Sequence, residues 1–179
     1  GVLSFAMAKE YESQGLPYEI TGADFCEPLL EVARADLAKK KFTGKITFIQ
    51  ADALQLPLPD RSVDALTVAF GLRNFESRPR AYTEMRRVLK PGGQAFILEF
   101  SQPVGLMKPF YHLYDNALPT IAGWLGQDKD SYQYLKDSVR GFPAAPALAE
   151  ELKQAGFTSV GFRRMTGGIV ALHQAVNPA

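Results

Sequence analysis

Strand-like and helix-like segments alternate through the first hundred residues, and this alternation restricts the fold more than any other feature. Val2 to Tyr11, apolar at 2, 3, 6 and 7, reads as a helix ending near Gly15. Tyr18–Ala23, bounded by Pro17 and Asp24, reads as a strand. Glu27–Lys39 puts Leu29, Leu30, Ala33 and Leu37 on one helical face, with Pro28 tolerated in the first turn. Lys45–Ala51 and Val63–Phe70 read as strands, and Arg78–Leu89 as a helix facing inward with Ala81, Tyr82, Met85, Val88 and Leu89. Lys90-Pro91-Gly92-Gly93 is expected to stop that helix, and Gln94–Phe100 is the next strand. Such alternation predicts an α/β fold, a doubly wound and mostly parallel sheet with helices on both faces. The rhythm then changes. Gln102–Arg140, rich in aromatics and proline, is expected to form an irregular helical cap at about 102–140. A helix from Pro146 to Ala155 and two strands, Thr158–Arg164 and Gly168–Gln174, joined by a Met165-Thr166-Gly167 turn, complete one domain over 1–179.

Charge narrows the function classes. Twenty basic and 19 acidic side chains leave a net charge of +1, without the concentrated basic face of a nucleic-acid reader. Lys39-Lys40-Lys41 reads as a solvated helix end. Cys26, the single cysteine, is compatible with a reducing, cytoplasmic setting. No apolar run approaches the ~18 residues of a membrane span. The two distant histidines and one cysteine give no metal-ligand spacing, and no Gly-x-Ser-x-Gly nucleophile motif is present.

In open α/β sheets ligands bind beyond the carboxyl ends of the strands. Those ends carry Asp24, Asp52-Ala53, Gly71-Leu72-Arg73-Asn74 and Glu99-Phe100-Ser101. Two carboxylates at successive strand ends suit a nucleoside: one accepts both ribose hydroxyls, the other the adenine amino group. Either Asp can equally begin a turn or cap a helix. Gly1, directly before the first helix, fits the last glycine of a phosphate- or nucleoside-binding loop. An NAD(P)-dependent oxidoreductase of the same architecture therefore stays open.

The segments "GADFCEPLLEVAR", "FIQADALQLPLPDRSVDAL" and "EMRRVLKPGG" resemble consecutive motifs of class I S-adenosylmethionine-dependent methyltransferases. More narrowly, "AFGLRNF", "ILEFSQP", "DSYQYLKDSVRGFP", "ELKQAGF" and "TGGIVALH" resemble the UbiE/MenG family of quinone-biosynthesis C-methyltransferases, over nearly the whole chain. The resemblance implies S-adenosylmethionine as cofactor, S-adenosylhomocysteine as product, and a prenylated hydroquinone as substrate, either demethylmenaquinol or a polyprenyl benzoquinol. It makes Asp24 the ribose-binding acid and sets Asp52 and Ala53 against the adenine. Ala69 stands where the family usually has Ser, so only its backbone can keep that contact. Gly1 matches the final glycine of the Gly-rich loop. The rest of that loop, a central strand and an N-terminal helical region are expected ahead of Gly1, so the chain reads as an N-terminally truncated domain. Peripheral membrane contact and a homodimer are compatible with the resemblance. Another small lipophilic acceptor is the alternative substrate.

Methylation of an aromatic carbon needs alignment, exclusion of water and stabilisation of a developing phenolate. Arg73 suits the last task as a permanent cation, and a poor proton acceptor, or it only pairs with a carboxylate such as Glu76. Asn74 can bond a quinol oxygen or cap the loop. Gly71 is expected to let the chain turn closely past the reacting methyl. His112, Tyr111 and Tyr114 are candidate bases or tunnel residues, and Phe110, Leu113, Leu118, Ile121 and Trp124 form either an apolar lid or plain core. His173 reads as structural.

Overall fold

The computed structural model describes residues 1–105 and 129–179, which form two compact units, Gly1–Leu58 and Pro59–Ala179. The candidates at 110–124 lie outside the described residues, as do positions 106–128 of the expected cap.

In the first unit α1 (Val2–Ser13) is followed by β1 (Glu19–Asp24), α2 (Glu27–Ala38) and β2 (Lys45–Gln50). β1 and β2 pair in parallel from Glu19↔Lys45 to Asp24↔Gln50. Parallel neighbours need a crossover, and α2 is that crossover. Pro28 and Glu27 occupy its first turn, where a missing N–H costs nothing and a negative charge is favourable. Leu30 and Ala33 of α2 meet Phe5 of α1 and Phe48 of β2 in the core, and Leu37, Phe42 and Ile46 pack against them. The Phe5 ring stacks on Phe42 and meets Phe48 edge-on, with centroids 5.8 Å apart in both pairs. Gly22 makes the crossing of Phe48 over β1 possible, because a Cβ there would stand 2.6 Å from its ring. Leu29 departs from the expected core stripe and is exposed, with Phe25 and Val32. The carboxylate of Glu12 ties α1 to the segments before β1 and β2 by accepting from Tyr18 Oη at 2.9 Å, Thr43 N–H at 2.5 Å and Thr43 Oγ1 at 2.9 Å.

The second unit holds a four-stranded mixed sheet in the order β3-β4-β6-β5. Its strands are β3 (Val63–Ala69), β4 (Leu89–Phe100), β5 (Thr158–Met165) and β6 (Val170–Val176). β3 and β4 run parallel, with α3 (Arg78–Val88) between them in sequence, and β6 enters antiparallel to both β4 and β5. Two further helices are α4 (Lys129–Arg140) and α5 (Ala145–Gln154). α3 buries Ala81, Tyr82, Met85 and Val88 as its 3.6-residue period requires, and α5 buries Ala145, Leu148, Ala149 and Leu152.

The structure corrects one boundary. Lys90–Gly93 ends the helix as expected but is not a loop. It lies inside β4, where the ladder jumps from Val63↔Leu89 to Ala65↔Gln94. Pro91 has no N–H for a ladder, so the strand bulges there. Asn177 holds the bulge: its backbone accepts from Gly92 N–H and donates to Gly93 O, both at 2.8 Å, while its Nδ2 donates to Leu89 O at 3.0 Å and Arg86 O at 3.1 Å. The orphan carbonyls at the end of α3 are thus satisfied by a residue 88 positions later. β6 likewise runs to Val176, beyond the expected Gln174, and a short 3-10 turn, Thr166–Gly168, precedes it.

Candidate active site

Each unit gathers one group of the expected residues. In the first, the parallel register brings the carboxyl ends of β1 and β2 side by side, and Ala51 N–H donates to Asp24 O at 3.0 Å. Asp24 and Asp52 are both exposed there, and Ala53 is half-buried. Each carboxylate closes a local turn through one oxygen: Asp24 Oδ1 accepts from Cys26 N–H at 2.9 Å, Asp52 Oδ1 from Leu54 N–H at 2.8 Å. The turn-forming and ligand-binding readings are therefore compatible, since each Oδ2 has no partner among the described residues. Phe25, 77% exposed beside Asp24, adds an aromatic face that the sequence reading passed over. Gly1 precedes α1, and a Cβ on it would come within 3.0 Å of Phe5 and 3.1 Å of Ala33 and Phe48, so a larger residue there would require these side chains to give way slightly.

In the second unit β3 ends at Ala69, paired with Leu98 of β4. The turn that follows is not made by Gly71, whose φ is an ordinary −111°. Phe70 makes it, at φ +56°. A left-handed conformation costs a non-glycine residue about 1–2 kcal/mol, so surrounding contacts must hold it. Phe70 N–H donates to Leu98 O at 2.8 Å, and its ring lies 4.9 Å from that of Phe100. Its carbonyl accepts from Arg73 Nη1 at 2.6 Å.

Arg73 lies in the short 3-10 turn Leu72–Asn74, anchored by fully buried Leu72. The carboxylate it meets is Glu99 of β4, not Glu76. Nη1 donates to both Glu99 oxygens at 3.1 Å, and the guanidinium lies 5.1 Å from the Phe100 ring centroid. Glu99 is 0% exposed and its second oxygen also accepts Phe100 N–H at 2.9 Å. The sequence carries a signal for it. β4 alternates, and Glu99 falls in the inward phase with Ala95 and Ile97, where a lone charge demands a partner. Arg73 Nε is buried and has no hydrogen-bond partner among the described residues. Asn74 is exposed, and its Oδ1 accepts from Tyr134 Oη of α4 at 3.1 Å.

His173 has the structural role read from its place in the final strand. Its Nε2–H donates to Ala145 O at 2.9 Å, while Ala145 N–H donates to Ser101 Oγ at 3.0 Å, so β6 and the residue just after β4 together hold the start of α5. Burial pushes its pKa below the usual histidine value, the backbone contacts with Ala145 and Ile97 opposing this only in part.

With this geometry in view, the profile of the ubiE/COQ5 methyltransferase family matches residues 1–177. The chain belongs to that family. It is 44% identical over 158 residues to the ubiquinone/menaquinone biosynthesis C-methyltransferase UbiE of Teredinibacter turnerae, covering 87% of this chain and 64% of that protein. The chain thus spans less than two thirds of the length of this relative. A SAM-dependent methyltransferase from Aquifex aeolicus superposes with a TM-score of 0.62 at 16% identity, over 88% of this chain and 68% of that one. The C-methyltransferase domain of the citrinin polyketide synthase gives 0.68 at 19% identity, over 98% and 43%. These likenesses show the class I methyltransferase fold. No helix among the described residues is long and apolar enough to cross a membrane.

Proposed function

We propose that the full-length gene product is an S-adenosylmethionine-dependent C-methyltransferase acting on a prenylated hydroquinone of menaquinone or ubiquinone biosynthesis. Membership of the family and 44% identity to a relative named for that activity support the reading. The observation that carries it is Arg73 just past β3, a largely buried guanidinium held to Glu99 through Nη1, with an Nε that has no partner among the described residues. Such a donor suits the oxygen of a phenol that is losing its proton.

Asp24 is the proposed ribose acceptor, since its free oxygen can take a diol. Asp52 and Ala53 are proposed against the adenine, with Gly1 and the backbone of Ala69 completing the cofactor contacts. S-adenosylmethionine held there would supply an electrophilic methyl group for the aromatic carbon, its sulfur keeping the bonding electron pair. The phenolic proton would pass to water, the ring proton would follow it to water as aromaticity returns, and the oxygen would regain a proton from solvent, so that one proton is released overall. Arg73 would stabilise the phenolate, and Asn74 would orient the ring through its amide.

We further propose that residues 1–179 belong to one methyltransferase domain, supported by the family match that runs across both units from residue 1 to 177. Peripheral contact with a membrane would bring the prenylated substrate within reach, and a homodimer is compatible. The test is transfer of labelled methyl by the full-length product to both a naphthoquinol and a benzoquinol, with calorimetry alongside. Methyl transfer to a quinol and binding of S-adenosylhomocysteine are expected. Binding of NAD(P) instead would return the oxidoreductase reading.

A further inference from the structure

We propose that Glu99 is the positioning residue of this site: it fastens Arg73 by Nη1 and thereby turns the Nε–Nη2 edge of the guanidinium toward a single phenolic oxygen of the acceptor. This rests on the reading of Arg73 above. Glu99 is fully buried and holds three groups at once: Arg73 Nη1 at 3.1 Å from both carboxylate oxygens, Phe100 N–H at 2.9 Å, and Arg73 N–H at 3.3 Å. Burying an ion pair is a poor way to gain stability, because desolvation offsets the attraction and apolar side chains of similar volume do as well. Direction is what the pair adds. Three contacts confine the guanidinium: Glu99, the Phe70 carbonyl at 2.6 Å, and the face of Phe100 at 5.1 Å. The two hydrogen-bonded contacts fall on Nη1. Nε, by contrast, is buried and has no partner among the described residues, a state that polar groups in folded proteins rarely keep unless a ligand or water completes them. The strained Phe70 belongs to the same device, because its left-handed backbone is what aims its carbonyl at Nη1.

The test uses full-length wild type, Glu99→Gln, Glu99→Asp, Arg73→Ala and the Glu99→Gln/Arg73→Ala double variant. The readouts are melting, S-adenosylhomocysteine calorimetry, and kcat and KM for the quinol from pH 6 to 10. In Glu99→Gln, cofactor affinity should stay within about threefold while kcat falls on the order of 10²-fold, the scale of a misplaced catalytic group. Its kcat should keep rising at alkaline pH where wild type has levelled, because the phenolate must then form with less help. Glu99→Asp keeps the charge but retracts it by one methylene, and should show the same alkaline shift with a smaller loss. The double variant should be no slower than Arg73→Ala, since Glu99 acts only through Arg73. Wild-type kcat and pH profile in Glu99→Gln, or losses that multiply in the double variant, would overturn the proposal and leave the methyltransferase reading intact. So would failure of both single Glu99 variants to melt cooperatively, which would assign Glu99 to stability alone. A wild-type enzyme that methylates neither quinol overturns both.

Discussion

Arg73 and Gly22 show how little freedom individual positions have. Arg73 is confined by a carboxylate, a carbonyl and an aromatic face, so its substitution should touch chemistry and not cofactor binding. In Arg73→Ala, S-adenosylhomocysteine affinity should stay within a few-fold while turnover at saturating quinol falls by roughly 10²–10³, the usual effect of removing a donor to developing negative charge. Unchanged turnover would sink that role. Gly22 is set by packing: a methyl would enter the Phe48 ring at 2.6 Å. Gly22→Ala should destabilise the protein by about 1–3 kcal/mol through overpacking, read as a lower urea midpoint. An unaltered midpoint would mean that Phe48 moves aside freely.

At the scale of elements, α3 and α5 are joined by a network that neither helix reveals alone. Arg78 donates from Nε and Nη2 to the two Glu151 oxygens at 2.9 and 3.0 Å, and Tyr82 Oη donates to Glu151 Oε2 at 2.8 Å. Tyr82 is nearly fully buried, and burial followed by the Glu151 contact raises its pKa far above the usual phenol value. Glu151→Ala should therefore cost about 1–3 kcal/mol, because it strands a buried hydroxyl. Glu151→Gln should cost less, since the amide oxygen still accepts from Tyr82. Equal losses in chemical denaturation would show that charge alone matters. The same scale explains the Lys90–Gly93 segment. Its residues read as a helix stop, and they are one, but β4 absorbs the stop as a bulge because Asn177 satisfies its backbone.

For the whole molecule, pH dependence is set by groups whose protonation differs between folded and unfolded chains. Burial of His173 favours its neutral ring, so its folded pKa is depressed. Below the unfolded value of about 6.5 the unfolded state binds more protons, and stability should fall as pH drops through that value toward the folded one. Glu12 and Glu151 are also lowered, from 4.5, and add losses of the same sign in a separate window below it. Melting temperature should thus decline in two stages on acidification, and His173→Gln should remove the upper one. A variant that keeps the upper stage would assign it to another group. Alternation of periods along the sequence determined the α/β class, the order of strands and helices, and Asp24, Asp52 and Arg73 at strand ends, because side-chain period and chain direction are local properties. Only tertiary structure decided that Arg73 answers Glu99 and not Glu76, that Phe70 and not Gly71 makes the turn, and that Asn177 closes α3. Those pairings span 26 to 91 positions or rest on a strained backbone held by neighbours, and no local pattern encodes which distant group will arrive to satisfy a buried charge or carbonyl.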